Sequence, residues 1–241
     1  MRKLKLFFIR NTKAYFLRLN LHKIFKLFEG VFLNLSYLSK FSKWRKAHSD
    51  LPYNDFFSKE FIFDKRYKLY EFLFNYEKLD DEIIYLEFGV LGGHSFKWWT
   101  GKNINSNSRF YGFDTFEGLP EDWNLYKKGD MTTEGKIPQI DGNRHQFYRG
   151  LFQDTLMQFL KQVNLNKRLV INMDADLYSS TYFVLNCIAP FLKKGDVIIF
   201  DEFGVPTHEF KAFSEFFASY YLKYKVLAAS NNYYQVAIKI D

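Results

Sequence analysis

The sequence predicts an α/β fold with a mostly parallel sheet over residues 81–241, preceded by a helical N-terminal extension. Three observations predict it. Short apolar runs alternate with helical stretches from Asp81 onward, and buried parallel strands are expected to be continuously apolar. The last two predicted strands are joined by a short polar turn, which indicates an antiparallel hairpin. The first 46 residues contain twelve Lys or Arg and one acid, which sets them apart from the rest of the chain.

Composition and charge narrow the class of protein. Of the 241 residues, 47% are hydrophobic, which is sufficient for a packed core. Residues 1–46 carry a net charge of +11, and the remainder, with 22 basic and 26 acidic residues, is mildly acidic. We therefore expect no nucleic-acid binding by the body of the protein. The single cysteine, Cys187, excludes an intrachain disulfide.

No apolar run approaches the roughly 20 residues of a transmembrane helix. Arg10 and Lys13 interrupt the short apolar run near the N-terminus, which argues against a signal peptide. The sequence therefore predicts a cytoplasmic protein.

Residues 1–50 are predicted to form a basic, amphipathic helical arm. An apolar stripe recurs at helical spacings through Leu17, Leu21, Ile24, Phe28, Phe32 and Leu35. Combined with the +11 charge, this stripe predicts peripheral contact of residues 1–46 with an anionic inner-membrane surface or an acidic partner. Packing on the following domain, or a homo-oligomer interface, is the alternative. Residues 51–80 form a lead-in with a second predicted helix, Asp64–Leu79.

The elements of the α/β domain follow in order. Strands are predicted at Ile83–Phe88, Phe110–Phe113, Gln146–Tyr148, Leu169–Met173, Val197–Phe200, Lys223–Ala228 and Tyr234–Ile240. Helices are predicted at His94–Thr100, Thr155–Val163 and Ser180–Leu192. The stretch from Glu117 to Arg144 is long and rich in Gly, Pro and charged residues, which is typical of a functional loop such as a lid.

A glycine-rich turn and an acid indicate a nucleoside-containing cofactor. The first predicted strand ends in Glu87, and Gly89, Gly92 and Gly93 precede a helix. Ligands of open α/β sheets bind at such strand ends, glycine permits close backbone approach, and a helix N-terminus suits a carboxylate or phosphate. Asp114 ends the next strand, where an acid can accept both hydroxyls of a ribose. Together these features predict an adenosine-containing cofactor.

Paired acids follow two further strands. Asp174 and Asp176 follow one of them, and Asp201 and Glu202 follow the other. Clustered carboxylates repel one another, and a cation or a raised pKa is the usual resolution. Hard oxygen ligands suit Mg²⁺ or Ca²⁺. A solvated acidic rim is the alternative.

Over about residues 64–241 the chain resembles the macrocin O-methyltransferase family of class I S-adenosylmethionine enzymes. The resemblance is carried by YLEFGVLGGHS, FYGFDTFEGLPEDW, FYRGLFQDTL, INMDADLYSSTYFVLNCIAPFLKKGDVIIFDEFG, HEFKAF and QVAIKI, in the order of the family. It implies a Rossmann-like sheet with an antiparallel C-terminal hairpin. It also implies O-methylation of a small-molecule or glycan acceptor, such as a sugar or a secondary metabolite.

The resemblance also implies residue roles. The cofactor residues would be Glu87, Gly89, Gly93, Ser95, Asp114, Phe152 and Gln153. Of these, Ser95 would bind the methionine carboxylate and Asp114 the ribose, whereas Phe152 and Gln153 would border the adenine.

In metal-dependent relatives, the residues at Asp174, Asp201 and the next position bind a divalent cation. Here that position is Glu202, so the implied Mg²⁺ ligands are Asp174, Asp201 and Glu202. The chemistry of deprotonating a hydroxyl requires a base, for which Asp174 is the candidate, with Asp176 and His208 as rivals.

Two other functions compete with methyl transfer. A nicotinamide-dependent oxidoreductase would share the fold, but Gly89, Gly92 and Gly93 depart from the G-x-G-x-x-G spacing. A non-catalytic protein held at a membrane by the arm would not require the acids at the strand ends.

Overall fold

The computed structural model describes residues 1–241. The helices are α1 (Arg2–Arg18), α2 (His22–Phe25), α3 (Glu29–Ala47), α4 (Lys65–Tyr76), α5 (His94–Lys102), α6 (Phe152–Gln162), α7 (Tyr178–Ile188) and α8 (Glu209–Tyr220), with a 3₁₀ turn at Ala189–Phe191. The strands are β1 (Tyr53–Asn54), β2 (Ile83–Phe88), β3 (Arg109–Asp114), β4 (His145–Arg149), β5 (Arg168–Met173), β6 (Val197–Phe200), β7 (Tyr224–Ser230) and β8 (Gln235–Ile240).

All eight strands belong to one sheet, in the order β1-β7-β8-β6-β5-β2-β3-β4. The pairs among β2 to β6 are parallel, and β8 runs antiparallel to both β6 and β7. The predicted mostly parallel sheet with an antiparallel C-terminal hairpin is therefore confirmed. Each predicted strand is present, with ends that shift by no more than two residues.

Side chains alternate between two cores on the faces of the sheet. Ile84 and Leu86 of β2 belong to a core that includes residues of α6, α7 and α8. Ile83 and Tyr85 of the same strand face a second core, which includes residues of α4 and α5. Since every residue of β2 is buried, the strand is apolar on both faces, as parallel strands covered on both sides are.

Two elements were not predicted. Helix α8 carries Phe210, Phe213 and Phe217 at spacings of three and four, and these side chains are buried. The two-residue strand β1 pairs in parallel with β7 and is too short to be recognised from its sequence. The helix predicted to end at Leu79 ends at Tyr76.

The first part of the N-terminal arm makes no buried contact, whereas its last part packs on the body of the protein. Helices α1 and α2 contain no buried residue. In the second half of α3, Tyr37 is 7% exposed, and the ring of Trp44 lies 4.8 Å from that of Phe203 in the body. The predicted stripe is thus spread over three helices, and only the part after residue 36 is anchored. None of the helices is long and apolar enough to cross a bilayer.

Candidate active site

The carboxyl ends of four neighbouring strands meet at one edge of the sheet. Backbone hydrogen bonds continue past the strands there. The Gly89 amide donates to the Phe113 carbonyl at 3.0 Å, and the Asp174 amide donates to the Phe88 carbonyl at 2.9 Å. The residues after β2, β3 and β5 are therefore held in register.

Gly89 lies very close to the backbone that follows the neighbouring strand β5. Its φ is +90°, and a Cβ placed on it would lie 1.7 Å from the Asp174 carbonyl oxygen. Any side chain would collide with backbone that cannot move without breaking the strand register, so this position requires glycine.

A cavity of about 590 Å³ opens over this edge. Its wall includes Arg66, Gly89, Leu91, Asp114, Gly118, Leu119, Trp123, Tyr126, Met131, Phe152, Gln153, Asp174, Asp176, Glu202 and Tyr234. Four of the seven predicted cofactor residues (Gly89, Asp114, Phe152 and Gln153) therefore line one space.

Asp114 organises the turn after β2. Its Oδ2 accepts hydrogen bonds from the amides of Val90 and Leu91, both at 2.7 Å, and its Oδ1 accepts one from Phe116 at 2.7 Å. Each carboxylate oxygen can accept about two bonds, so Oδ1 has remaining capacity toward the cavity. This arrangement suits a carboxylate that receives a ribose hydroxyl while it fixes the glycine-rich turn.

The other three predicted cofactor residues lie outside the cavity wall. Glu87 is 1% exposed and accepts a hydrogen bond from the Tyr85 hydroxyl; burial raises the pKa of its carboxyl to about 8. Ser95 is buried in α5, and a Cβ on Gly93 would lie 2.7 Å from Pro138. These residues support the turn from behind the surface that faces the cavity.

An acid cluster (Asp174, Asp176, Asp201, Glu202 and Glu209) lies beside these residues, at the ends of β5 and β6 and the start of α8. Carboxylate oxygens of Asp174, Asp176 and Glu202 lie within 4.8 Å of one another, and all three residues line the cavity. Asp201 and Glu209 are fully buried and do not line it. A Glu202 oxygen, Oε2, is buried without a hydrogen-bond partner. Three carboxylates at this spacing can hold a cation.

Arg66 of α4 extends into this cluster. Its Nη2 lies 2.6 Å from Asp201 Oδ2, as an ion pair, and its Nη1 donates to Asp174 Oδ2 at 3.3 Å. Its guanidinium lies over the Phe63 ring, 3.6 Å from the ring centroid. Asp201, implied as a metal ligand by the resemblance, is therefore paired with a guanidinium.

Burial changes the protonation of the cluster. It raises the pKa of Asp174 and Glu202 well above the usual range, and the neighbouring Asp201 charge adds to the effect. Burial and the nearby charge of Asp201 raise the pKa of Asp176 to about 7. One guanidinium cannot neutralise all of these groups, so the cluster holds protons or takes up a further cation.

The predicted lid covers the cavity. Gly118, Leu119, Trp123 and Met131 contribute to its wall. Leu119 and Trp123 also form a small apolar cluster with Leu177 at the start of α7. The stretch is therefore packed onto the acid side of the site.

Arg66 and Glu209 were missed from the sequence. Arg66 stands four and seven residues before Tyr70 and Leu73, on the buried face of α4. A charge on the apolar face of an amphipathic helix is a signal that could have identified it. His208, a rival base, lies outside the cavity wall, and its Nδ1 accepts from the Tyr178 amide at 3.3 Å.

Comparisons with known structures identify the fold. CalS11, described as a calicheamicin methyltransferase, matches 72% of this chain and 80% of its own, at 21% identity and a TM-score of 0.57. The O-methyltransferase NovP matches 73% and 78%, at 17% identity and a TM-score of 0.54. A structure of cmcI with Mg and S-adenosylmethionine matches 74% and 71%, at 17% identity and a TM-score of 0.50. At these identities the likeness concerns the fold.

The family is identified by sequence. No curated protein sequence matches the chain. The family described as Macrocin-O-methyltransferase (TylF) matches residues 85–229, which include the glycine-rich turn, the lid and the acid cluster. The chain therefore belongs to the macrocin O-methyltransferase family, whose members are S-adenosylmethionine-dependent methyltransferases.

Proposed function

We propose that the chain transfers a methyl group from S-adenosylmethionine to a hydroxyl of a sugar, a glycan or a secondary metabolite. The observation that carries this proposal is a single cavity lined both by Gly89, Asp114 and Phe152 and by the acids Asp174 and Asp176. Such a space can hold a donor beside an acceptor. The family name and the description of CalS11 support an acceptor of this class.

The donor side is proposed to bind the cofactor. Asp114 would accept from the ribose, Phe152 and Gln153 would border the adenine, and Gly89 would let the backbone approach the ligand. The N-terminus of α5 would attract the methionine carboxylate, and Ser95, which lies outside the cavity wall, would act through that helix start. Glu87 and Gly93 would act indirectly, by shaping the turn.

Methyl transfer to a hydroxyl also requires removal of a proton. When bound, S-adenosylmethionine supplies a methyl group already activated on a sulfonium sulfur. The acceptor oxygen forms the new bond to carbon, the electron pair of the broken bond stays on sulfur, and the hydroxyl proton goes to a carboxylate. We propose Asp174 as that base, with Asp176 as its rival. The pKa of Asp176, raised to about 7, favours proton transfer near neutral pH, and that of Asp174 is raised in the same direction.

A divalent cation is proposed as an aid, since it would lower the pKa of a hydroxyl bound to it. Asp174 and Glu202 would hold it through oxygens of the kind that Mg²⁺ prefers. Two residues compete for the third position: Asp176, which the geometry brings within 4.8 Å, and Asp201, which the resemblance implies.

Calorimetry with S-adenosylmethionine tests the donor side. Asp114→Ala should weaken binding by about 30-fold or more, because ribose hydroxyls and loop amides lose a charged acceptor. Glu117→Ala, in an exposed acid outside the cavity wall, serves as the matched control and should bind normally. Unchanged affinity in folded Asp114→Ala would contradict the assignment. Methylated products from a panel of hydroxyl acceptors, detected by mass spectrometry, would test the acceptor class.

Calorimetric titration with Mn²⁺ tests the metal. If Asp176 is the third ligand, Asp176→Asn should abolish Mn²⁺ binding. If Asp201 is the third ligand, as the resemblance implies, Asp201→Asn should abolish it instead. Activity that persists after exhaustive chelation, with no metal found by elemental analysis, would leave Asp174 acting purely as a base.

The remaining predictions concern organisation. An arm over residues 1–50, a lead-in over residues 51–80, a homo-oligomer and contact of residues 1–46 with a membrane or an acidic partner all stay predictions. A cytoplasmic location is likewise a prediction.

A further inference from the structure

The outer arm, residues 1–36, exposes apolar side chains that nothing in the chain covers. Phe7 is 62% exposed, Phe8 61%, Leu27 79% and Phe32 55%. These are among the largest hydrophobic side chains, and burying them elsewhere would be favourable. Exposed apolar patches of this kind mark a site of interaction with a protein or a membrane.

The charge of the outer arm has one sign. Residues 1–36 contain eight Lys or Arg and a single acid, Glu29, a net charge of +7. The partner must therefore accept apolar side chains and positive charge in the same place. An anionic lipid surface offers both, because acyl chains take up the apolar groups and headgroups attract the cations.

Helix α3 shows that its outer face is distinct from its anchoring face. Tyr37 and Trp44, seven residues apart, face the body, where Tyr37 donates to Glu215 Oε1 at 2.6 Å and Trp44 Nε1 donates to Tyr224 at 2.9 Å. Val31, Leu35 and Leu38 repeat at helical spacing and are exposed. The helix can thus hold the body on one side and another surface on the other.

A second copy of this chain fits the outer arm less well. Two such arms in contact would bring together two surfaces with a net charge of +7 each. With one acid per arm, few ion pairs could compensate for the repulsion. The phosphate backbone of a nucleic acid would match the charge but would leave the apolar side chains in water.

We propose that residues 1–36 attach the protein to the surface of an anionic lipid bilayer, with apolar side chains at the interface and Lys and Arg over the headgroups. The attachment is independent of the proposed methyl transfer, since none of these residues lines the cavity.

Vesicle sedimentation of the full chain tests the attachment. Binding to phosphatidylcholine vesicles that contain phosphatidylglycerol should be at least about tenfold stronger than binding to phosphatidylcholine alone, and should weaken as salt rises. Phe7→Ser with Phe8→Ser should reduce binding about tenfold through loss of the apolar contribution, and Lys3→Gln with Lys5→Gln through loss of charge.

Matched controls lie on the body. Ile104 and Tyr221 are 84% and 89% exposed, and Ile104→Ser with Tyr221→Ser should leave binding unchanged. Lys161→Gln with Lys194→Gln, in two exposed residues of the body, should do the same. Controls that reduce binding as much as the arm variants do would overturn the proposal.

Three further outcomes would overturn it. The first is that the full chain ignores anionic vesicles at low salt. The second is that the Phe7 and Phe8 variant binds anionic vesicles as strongly as the unaltered chain does, which would mean that charge alone causes the binding. The third is a dimer in sedimentation equilibrium that the same variant dissociates, which would make the outer arm an interface between copies. Binding of S-adenosylmethionine, measured in each variant, reports separately on the proposed function.

Discussion

The outer arm and the acid cluster differ in what they place against water. In residues 1–36 large apolar side chains are exposed and all charges but one are positive. In the cluster five acids surround one guanidinium, and Asp201 and Glu209 are fully buried. Folding alone favours neither arrangement, since apolar groups gain by burial and charges lose by it. The outer arm therefore suits a partner that is apolar and anionic. The acid cluster suits a cation or bound protons.

The two regions also differ in how they are tied to the body. The cluster lies between β5, β6, α4 and α8, so its unfavourable desolvation must be offset by the packing around it. The outer arm makes few contacts with the body. A substitution in the cluster is therefore expected to change the free energy of unfolding, whereas one in the outer arm is not.

Arg66→Met should have the largest effect. It removes the only guanidinium that neutralises Asp201 and Asp174, and breaking a buried ion pair costs about 3–5 kcal/mol. Arg66→Lys should recover part of this loss. Denaturant unfolding measures both, with Lys127→Met, which breaks an exposed pair with Asp122, as a control that should unfold like the unaltered chain. Equal stability of the Arg66→Met protein would contradict the role of Arg66 and would show that protons or another cation balance the cluster.

Gly89→Ala should come next. The new Cβ would meet the Asp174 carbonyl, so strain and collision together should lower the free energy of unfolding by about 3 kcal/mol. Gly142 has nearly the same φ, +92°, but open space around it, so Gly142→Ala should cost only about 1 kcal/mol. Similar losses in the two variants would mean that backbone conformation alone, and not the contact with Asp174, makes glycine necessary.

Two aromatic residues of α3 sharpen the comparison within one helix. Trp44 packs on Phe203 and Phe213, and Trp44→Ala should lower the free energy of unfolding by about 2–3 kcal/mol, less than for a fully buried Trp. Phe32 is 55% exposed, and Phe32→Ala should change it by less than about 0.5 kcal/mol. A comparable loss in Phe32→Ala, measured by thermal and denaturant unfolding, would place residue 32 in a stabilising contact.

The last prediction concerns pH. Burial raises the pKa of Glu87 from 4.5 to about 8. The folded protein thus keeps a proton on Glu87 that the unfolded chain releases above pH 4.5. Its stabilising effect is complete below pH 4.5 and is lost as the pH rises to about 8. Between pH 5 and 8, the free energy of unfolding of Glu87→Gln should therefore fall less steeply with pH than that of the unaltered chain. Parallel pH profiles would contradict the raised pKa.

The sequence predicted the sheet because its central strands β2, β5 and β6 are mostly apolar on both faces and are separated by clear helical stretches. It also predicted that Asp114, Asp174 and Glu202 would share one site, since parallel strands end at the same edge. The pattern of α4 could have marked Arg66 as a charge on an apolar face, but it could not place that charge at the site, because the position of α4 over this edge depends on packing with β7 and α5. For the same reason the sequence could not show that Glu87, a predicted cofactor contact, is buried outside the cavity wall.

The lid has a consequence for how this family can acquire new acceptors. Its chain closes on itself, since the Leu119 amide donates to the Asp130 carbonyl and the Gly129 amide to the Leu119 carbonyl, both at 2.9 Å. A Cβ on Gly118 would meet the Gly129 carbonyl oxygen at 2.4 Å. The lid is thus a loop that is held by its own backbone hydrogen bonds and lies beside the strand ends. Such a unit can vary in sequence without altering the register of the sheet, whereas Gly89 cannot, because it faces the backbone carbonyl of residue 174 whatever side chain stands there.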